Sequence, residues 1–157
     1  MNVDDPAVLD ILRRCMVARI ASLSHHGRPS INPLYFVSLS GRIWLGTSEW
    51  TLAARNVKAD TRVSVLFEVE RDRSPRRVLR ISGRASVCTD PKAQRSYNLR
   101  VARKYVLTPD GIRHYLAHMQ QLKLQHTYHA QSAEKGQACV IEVTPLDAEF
   151  FAAEQVG

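Results

Sequence analysis

Long apolar runs and cysteine pairs are missing from this chain of 157 residues. No run approaches the roughly 20 apolar residues that cross a bilayer. The first ten residues, MNVDDPAVLD, lack the basic and apolar regions of a secretory signal. We therefore expect a cytoplasmic protein with no membrane partner. Cys15, Cys88 and Cys139 show no CxxC spacing, so buried free thiols are expected and no disulfide framework is indicated.

The sequence fingerprints of several enzyme classes are also missing. There is no GxSxG nucleophile elbow, no phosphate loop of the GxxxxGK type and no dinucleotide fingerprint. His114 and His118 have the i, i+4 spacing that zinc or haem can use. With six histidines in the chain, a chance pair is the more economical interpretation. We therefore predict no metal site and leave the catalytic residues unknown.

Acidic residues are few relative to basic ones. The chain has 22 Lys and Arg against 15 Asp and Glu, a formal net charge of +7. Many of the cations are concentrated in an arginine-rich stretch over residues 71–84 and in a second group over 92–104. A solvated loop and an exposed helix face are the favoured interpretation. An anionic small-molecule ligand is the alternative, and nucleic acid is less favoured because no recognition motif accompanies the charges.

The order of elements favours a small antiparallel barrel. Apolar, β-rich runs at 17–24, 31–39, 43–47, 62–69, 78–88 and 138–144 predict six strands. Capping residues and apolar periodicity predict helices beginning at Asp5-Pro6, over 50–60, at 89–105 and at 108–126. Pro33 predicts that its strand lies at a sheet edge or contains a bulge. We expect a mainly β fold, a six-stranded antiparallel split β-barrel with peripheral helices, as one domain over residues 1–157.

Several motifs resemble those of the FMN-binding split-barrel proteins typified by pyridoxamine 5'-phosphate oxidase. They are Gly27-Arg28-Pro29, Thr47, Arg55 with Val57, Arg62-Val63, Gly83, and the tail Pro145-x-x-x-Glu149-Phe150-Phe151. The resemblance implies a homodimer that binds flavin mononucleotide (FMN), or a deazaflavin cofactor, in the groove between subunits. It also implies an oxidoreductase that transfers a hydride to or from a small-molecule substrate, which the sequence does not identify.

The resemblance assigns the cofactor phosphate to the start of the second helix. The family's Arg-Lys pair falls here on Leu52 and Ala53, so both charges are missing. Thr47 and Ser48 supply hydroxyl groups nearby, and the N–H groups at a helix start favour an anion. Arg55, one helical turn further along, is the expected substitute for the missing cations, with a structural salt bridge as the alternative.

The resemblance assigns the flavin ring to other residues. Asn32, Leu34 and Tyr35 would supply main-chain or side-chain contacts, and Phe151 lies where the family has a tryptophan that approaches the partner subunit's flavin. Core packing is the alternative role for Phe151.

Two departures from the family pattern limit the function. The family's Arg-x-His segment does not follow Phe150-Phe151, so we do not expect oxidation of pyridoxamine phosphate. A deazaflavin with a negatively charged tail suits the basic surface. The alternative is a non-enzymatic split-barrel ligand-binding or sensor protein that has lost its cofactor site, which Leu52 and Ala53 favour.

Overall fold

The computed structural model describes residues 2–69, 77–117 and 137–152. Four helices and seven strands lie in these ranges. The helices are α1 (Pro6–Arg14), α2 (Leu52–Ala59), α3 (Pro91–Val106) and α4 (Pro109–Ala117). The strands are β1 (Ala18–Leu23), β2 (Pro29–Leu34), β3 (Phe36–Leu39), β4 (Arg42–Ser48), β5 (Arg62–Glu68), β6 (Arg77–Cys88) and β7 (Ala138–Ala152).

The strands form one antiparallel sheet in the order β2-β1-β5-β6-β7-β4-β3. Its two edge strands, β2 and β3, are consecutive in the chain and are separated only by Tyr35. The sheet must therefore curl until its edges approach each other, which gives the split barrel that the sequence predicts. Pro33 lies in edge strand β2, as expected, and pairs with Arg19 of β1.

The predicted number of strands is wrong, because the run 31–39 is two strands and not one. At Tyr35 the main chain leaves one sheet edge and joins the other. The Tyr35 carbonyl accepts hydrogen bonds from the Gly46 N–H at 3.2 Å and from the Tyr97 hydroxyl at 3.1 Å. Because the break lies within an unbroken apolar run, the pattern of hydrophobicity did not reveal it.

The last strand is longer than the predicted 138–144. β7 continues past Pro145, which lies opposite Gly83 where the register with β6 shifts between Ser82 and Gly83. This irregularity accommodates a proline inside the ladder. The tail residues Glu149, Phe150 and Phe151 are consequently part of the sheet.

The inside of the barrel is filled by side chains. α1 closes one part of it through Val8, Ile11 and Leu12, and α2 contributes Ala53 and Val57 to the same core. The buried strand residues of this core are Ala18, Ile20, Phe36, Ile43, Leu45, Val63, Val65, Phe67, Leu79, Ile81, Ala85, Ile141, Val143 and Ala148. A ligand must therefore bind outside the barrel or at an end of it.

α3 lies on the outer side of the sheet and begins at Asp90, whose carboxylate accepts from the Lys92 N–H at 3.0 Å. Tyr97 on α3 packs with Val37 of β3 and Val140 of β7. None of the described helices is long and apolar enough to cross a membrane. Residues 118–126 of the predicted fourth helix lie outside the described residues.

Lys104 on α3 is a charged side chain in an apolar setting. Its ammonium group donates to the Leu12 carbonyl at 3.0 Å and lies 3.4 Å from the centre of the Phe36 ring. No carboxylate of the described residues pairs with it. Burial lowers the pKa of Lys104 to about 7, although the nearby Cys15 thiol acts in the opposite direction.

We expect Gly83→Ala to destabilise the fold. A Cβ at this position would overlap the Thr144 carbonyl oxygen, a main-chain atom that cannot move without disturbing β7. Overpacking of this kind lowers the free energy of unfolding by about 1–3 kcal/mol. Urea denaturation measures the change. Ser82→Ala, on the outer side of the same strand, is the control and should shift stability by less than about 0.5 kcal/mol; equal effects would contradict the assigned close approach.

We expect the stability contribution of Lys104 to increase with pH. Its pKa is about 7 in the folded chain against 10.5 in the unfolded one, so between these values the unfolded chain binds the additional proton. Stability therefore rises with pH over this interval relative to Lys104→Met, which cannot titrate. Urea denaturation of both proteins at pH 7 and pH 9 tests this. A stability difference that is the same at both pH values would show that Lys104 is not buried as described.

Candidate functional site

A polar network lies where α2 packs against β1 and β2. The buried Asn56 amide donates to the Ser22 hydroxyl at 3.2 Å and to the Ser30 hydroxyl at 2.8 Å. Ser22 and Ser30 are cross-strand neighbours on the inward face of the sheet. The sequence analysis missed this network. Serines at inward positions of two adjacent strands were the available signal, because buried hydroxyls require a hydrogen-bond partner.

Asn32 lies on the same inward face of β2, opposite Ile20 of β1. Its Oδ1 atom is buried and has no hydrogen-bond partner among the described residues. A buried acceptor without a donor is unfavourable by about 1–3 kcal/mol. Asn32 is therefore a described side chain whose Oδ1 atom could accept a hydrogen bond from a bound molecule.

Thr47 and Ser48 end β4, and Glu49 and Trp50 separate them from Thr51, the N-cap of α2. The Thr51 hydroxyl donates to the Ser48 carbonyl at 2.9 Å, and its oxygen lies 2.9 Å from the Thr47 hydroxyl. Because the Thr51 hydrogen is already used, Thr47 is the donor in this pair. Thr51 also accepts from the Ala54 N–H at 3.4 Å, as an N-cap does. The Thr47 hydroxyl thus donates its hydrogen to the Thr51 hydroxyl oxygen, which belongs to the N-cap of α2.

Leu52 and Ala53 form the first turn of α2, and their N–H groups have no acceptor within the helix. Their side chains have different environments: Leu52 is 44% exposed, whereas Ala53 is 1% exposed within the barrel core. A lysine at position 53 would have to bury its charge. The loss of the basic pair is therefore consistent with how this helix is packed.

Arg55 is exposed and forms no ion pair with the residues that the structure describes. It lies three residues after Leu52, hence on the same face of α2. Helical side chains incline towards the helix N-terminus, which directs Arg55 to the open N–H groups of the first turn. Lys58, the next cation on this helix, lies 3.6 Å from the Glu49 carboxylate. Arg55 is therefore the cation of α2 available for an anion.

The residues predicted to contact a flavin ring are dispersed. Leu34 packs against the barrel core. The Tyr35 hydroxyl lies 3.3 Å from Nε2 of the buried His114, and its ring lies 4.7 Å from that of Tyr105. Asn32 and Tyr35 share one stretch of chain. Asn32, Leu34 and Tyr35 are thus close in the chain but differ in the residues that their side chains contact.

Phe151 lies far from Thr47 in the same subunit. It pairs with Val78 near one end of β7, whereas Cys139, the partner of Thr47, lies near the other end of this 15-residue strand. The Arg80 guanidinium lies 4.8 Å from the centre of the Phe151 ring. Within one chain, Phe151 therefore cannot contact a ligand held at Thr47.

The arginine-rich stretch 71–84 is only partly described, since residues 70–76 lie outside the described residues. Arg80 forms an ion pair with Glu149, and Arg84 donates to the Thr61 hydroxyl at 3.1 Å. For the described part of this stretch, these contacts are consistent with arginines that lie on a solvated surface and do not bind a ligand.

Metal ligands do not converge in the described ranges. There, no three His, Cys, Asp or Glu side chains are grouped so that they could hold a metal ion. His114 is buried against Tyr35, and His118 lies outside the described residues.

Comparison with known proteins gives a family match over most of the chain. A family model described as pyridoxamine 5'-phosphate oxidase matches residues 4–152. A search of curated proteins finds no match.

Solved structures match the fold at low identity. A conserved hypothetical protein from Mycobacterium tuberculosis has a TM-score of 0.69 and 17% identity, covering 98% of this chain and 88% of that one. An F420 reductase has a TM-score of 0.61 and 18% identity, covering 89% and 94%. A haem storage protein from Vibrio cholerae has a TM-score of 0.63 and 15% identity, covering 97% and 95%. These likenesses establish the fold alone.

Proposed function

The chain belongs to the pyridoxamine 5'-phosphate oxidase family, and from this premise we propose that it is an oxidoreductase that binds FMN or a deazaflavin at the interface of a homodimer. Such a cofactor, when bound, supplies the hydride chemistry. The chain's own residues bind and orient it beside a small-molecule substrate. A deazaflavin is supported by the structural likeness to an F420 reductase, and the net charge of +7 favours a cofactor with an anionic tail.

The observation that carries this proposal is the first turn of α2, where two N–H groups have no helical acceptor and the exposed Arg55 follows on the same helix face. A phosphate bound at this helix start would be within the reach expected of the Arg55 guanidinium. A charge-assisted hydrogen bond from Arg55 would contribute about 1.5–3 kcal/mol. The phosphate would thus be held with one side-chain cation in place of two.

The ring would be oriented by the turn that follows β2. The buried Oδ1 of Asn32 lacks a donor, and a ring N–H would satisfy it. Leu34 and Tyr35 would provide adjacent main-chain contacts. Because Phe151 lies far along β7 from Thr47 in its own subunit, a contact between Phe151 and a cofactor held at Thr47 would come from the second subunit.

A homodimer is supported by the outer face of β1, β5 and β6. Ala21, Ser64 and Ser82 form one cross-strand row there. Ile31, opposite Ala21 on β2, is 62% exposed. A row of small side chains beside an exposed isoleucine would allow the close approach of a second sheet.

A second candidate function is a ligand-binding or sensor protein without a redox cofactor. The missing cations at Leu52 and Ala53 favour it, because an FMN phosphate carries a charge near −2 that one arginine only partly compensates. The two functions differ in a simple observable, which is whether FMN or the deazaflavin binds at micromolar concentration or tighter.

We expect Arg55→Ala to weaken FMN binding about tenfold or more, as the loss of a charge-assisted hydrogen bond implies. Fluorescence titration of the purified protein measures the Kd, with riboflavin in parallel. Because riboflavin has no phosphate, its affinity should not change. Lys58→Ala, which removes the cation already engaged by Glu49, is the matched control and should leave both affinities within twofold. Equal effects of the two variants, or an unchanged FMN affinity in Arg55→Ala, would refute the phosphate assignment.

We expect Leu52→Arg to strengthen FMN binding severalfold. Position 52 is exposed, so an arginine can be accommodated and adds a second cation at the first turn of α2. The same titration measures the gain, again against riboflavin. If neither flavin nor deazaflavin binds the natural protein or this variant, the oxidoreductase proposal fails and the sensor function takes its place.

A further inference from the structure

A pocket that shares no residue with the proposed flavin site lies between α1, β3 and α3. Its volume is about 450 Å³, within the roughly 300–1,000 Å³ of small-molecule sites. None of the residues predicted for the flavin site lines it. Its lining divides into an apolar part and a basic part.

The apolar part consists of Leu9 and Leu12 from α1 and Val37 from β3. The basic part comes mainly from α3, where Arg100, Arg103 and Lys104 follow one another along the helix. No carboxylate among the described residues lines the pocket. Apolar surface beside uncompensated positive charge is the arrangement that recognises an anion with a hydrophobic body.

The cations of α3 differ in how they are held. Arg100 and Arg103 are exposed and make no ion pair with the residues that the structure describes. Lys104 is fixed by its hydrogen bond to the Leu12 carbonyl at 3.0 Å and by the Phe36 ring beneath it. One hydrogen bond leaves further ammonium donors of Lys104 available. The site thus has a hydrogen-bonded ammonium donor at its base and exposed guanidinium groups at its rim.

We propose that this pocket binds an amphipathic monoanion, an aryl or acyl carboxylate, with the carboxylate on Lys104 and the arginines and the apolar body against Leu9, Leu12 and Val37. A carboxylate at Lys104 would replace the missing counter-charge. Burial, which lowers the pKa of Lys104, also strengthens its interaction with an anion that arrives with its own charge. The proposal is independent of the flavin proposal, since the two sites share no residue.

The test uses 2-naphthoate as the anionic probe and 2-naphthamide as its neutral isostere. Both are titrated into the ¹⁵N-labelled full chain of 17.7 kDa, and amide chemical shifts report the site and the Kd. We expect 2-naphthoate to shift amides of α1, β3 and α3 and to bind at least tenfold more tightly than 2-naphthamide. Equal affinities, or shifts confined to α2, would overturn the proposal.

A pocket variant and a control variant test whether the Lys104 ammonium group binds the carboxylate of 2-naphthoate. Lys104→Met keeps the length of the side chain and should weaken 2-naphthoate at least tenfold. Arg95→Met removes an exposed cation of α3 that does not line the pocket and should leave the Kd within twofold. If Lys104→Met fails to fold, Arg103→Ala at the exposed rim replaces it, with an expected loss of at least threefold. An unchanged Kd in whichever of these two pocket variants is measured would overturn the proposal.

Discussion

The corner at Tyr35 is the constraint on which the rest of the architecture depends. One residue separates the two edge strands of a seven-stranded sheet, so the sheet cannot stay open. The Tyr35 carbonyl is held by the Gly46 N–H and the Tyr97 hydroxyl, which ties the corner to β4 and to α3. A side chain at Gly46 would overlap the Tyr97 ring. The same close approach that shapes the barrel therefore determines where α3 lies.

Much of this fold could be predicted from the sequence, because its local signals agree with its tertiary contacts. Asp5, Thr51 and Asp90 cap helices near the predicted positions. The strand predicted over 78–88 is confirmed as part of β6. The break at Tyr35 and the extension of β7 past Pro145 were not predictable in this way. Each depends on a partner distant in sequence, Tyr97 in one case and the irregularity at Gly83 in the other.

The candidate site was less accessible to sequence reasoning, because its meaning depends on burial. Leu52 and Ala53 are equivalent as lost charges in the sequence, yet only position 52 faces outwards. The interaction of Asn56 with Ser22 and Ser30 joins three elements, and no spacing along the chain indicates it. What the sequence supplied, through the family resemblance, was the expectation that a cofactor phosphate would bind at the start of α2. The hydrogen-bond inventory of the site follows only from packing.

The distribution of positive charge shows why composition alone could not separate a functional cation from a solvated one. Several arginines are balanced locally: Arg62 by Asp60, Arg80 by Glu149 and Arg42 by Glu142. Such exposed pairs contribute little to the free energy of unfolding, typically about 0–1 kcal/mol. In each pair the carboxylate offsets the positive charge of the arginine, which weakens its attraction for an anionic ligand. Some cations without an ion pair in the described part of the chain have a different setting. Arg55 follows the first turn of α2, and Arg100 and Arg103 of α3 line an apolar concavity. An anion gains most where charge, unsatisfied donors and excluded water coincide, so local geometry, and not the net charge, determines where this chain can bind one.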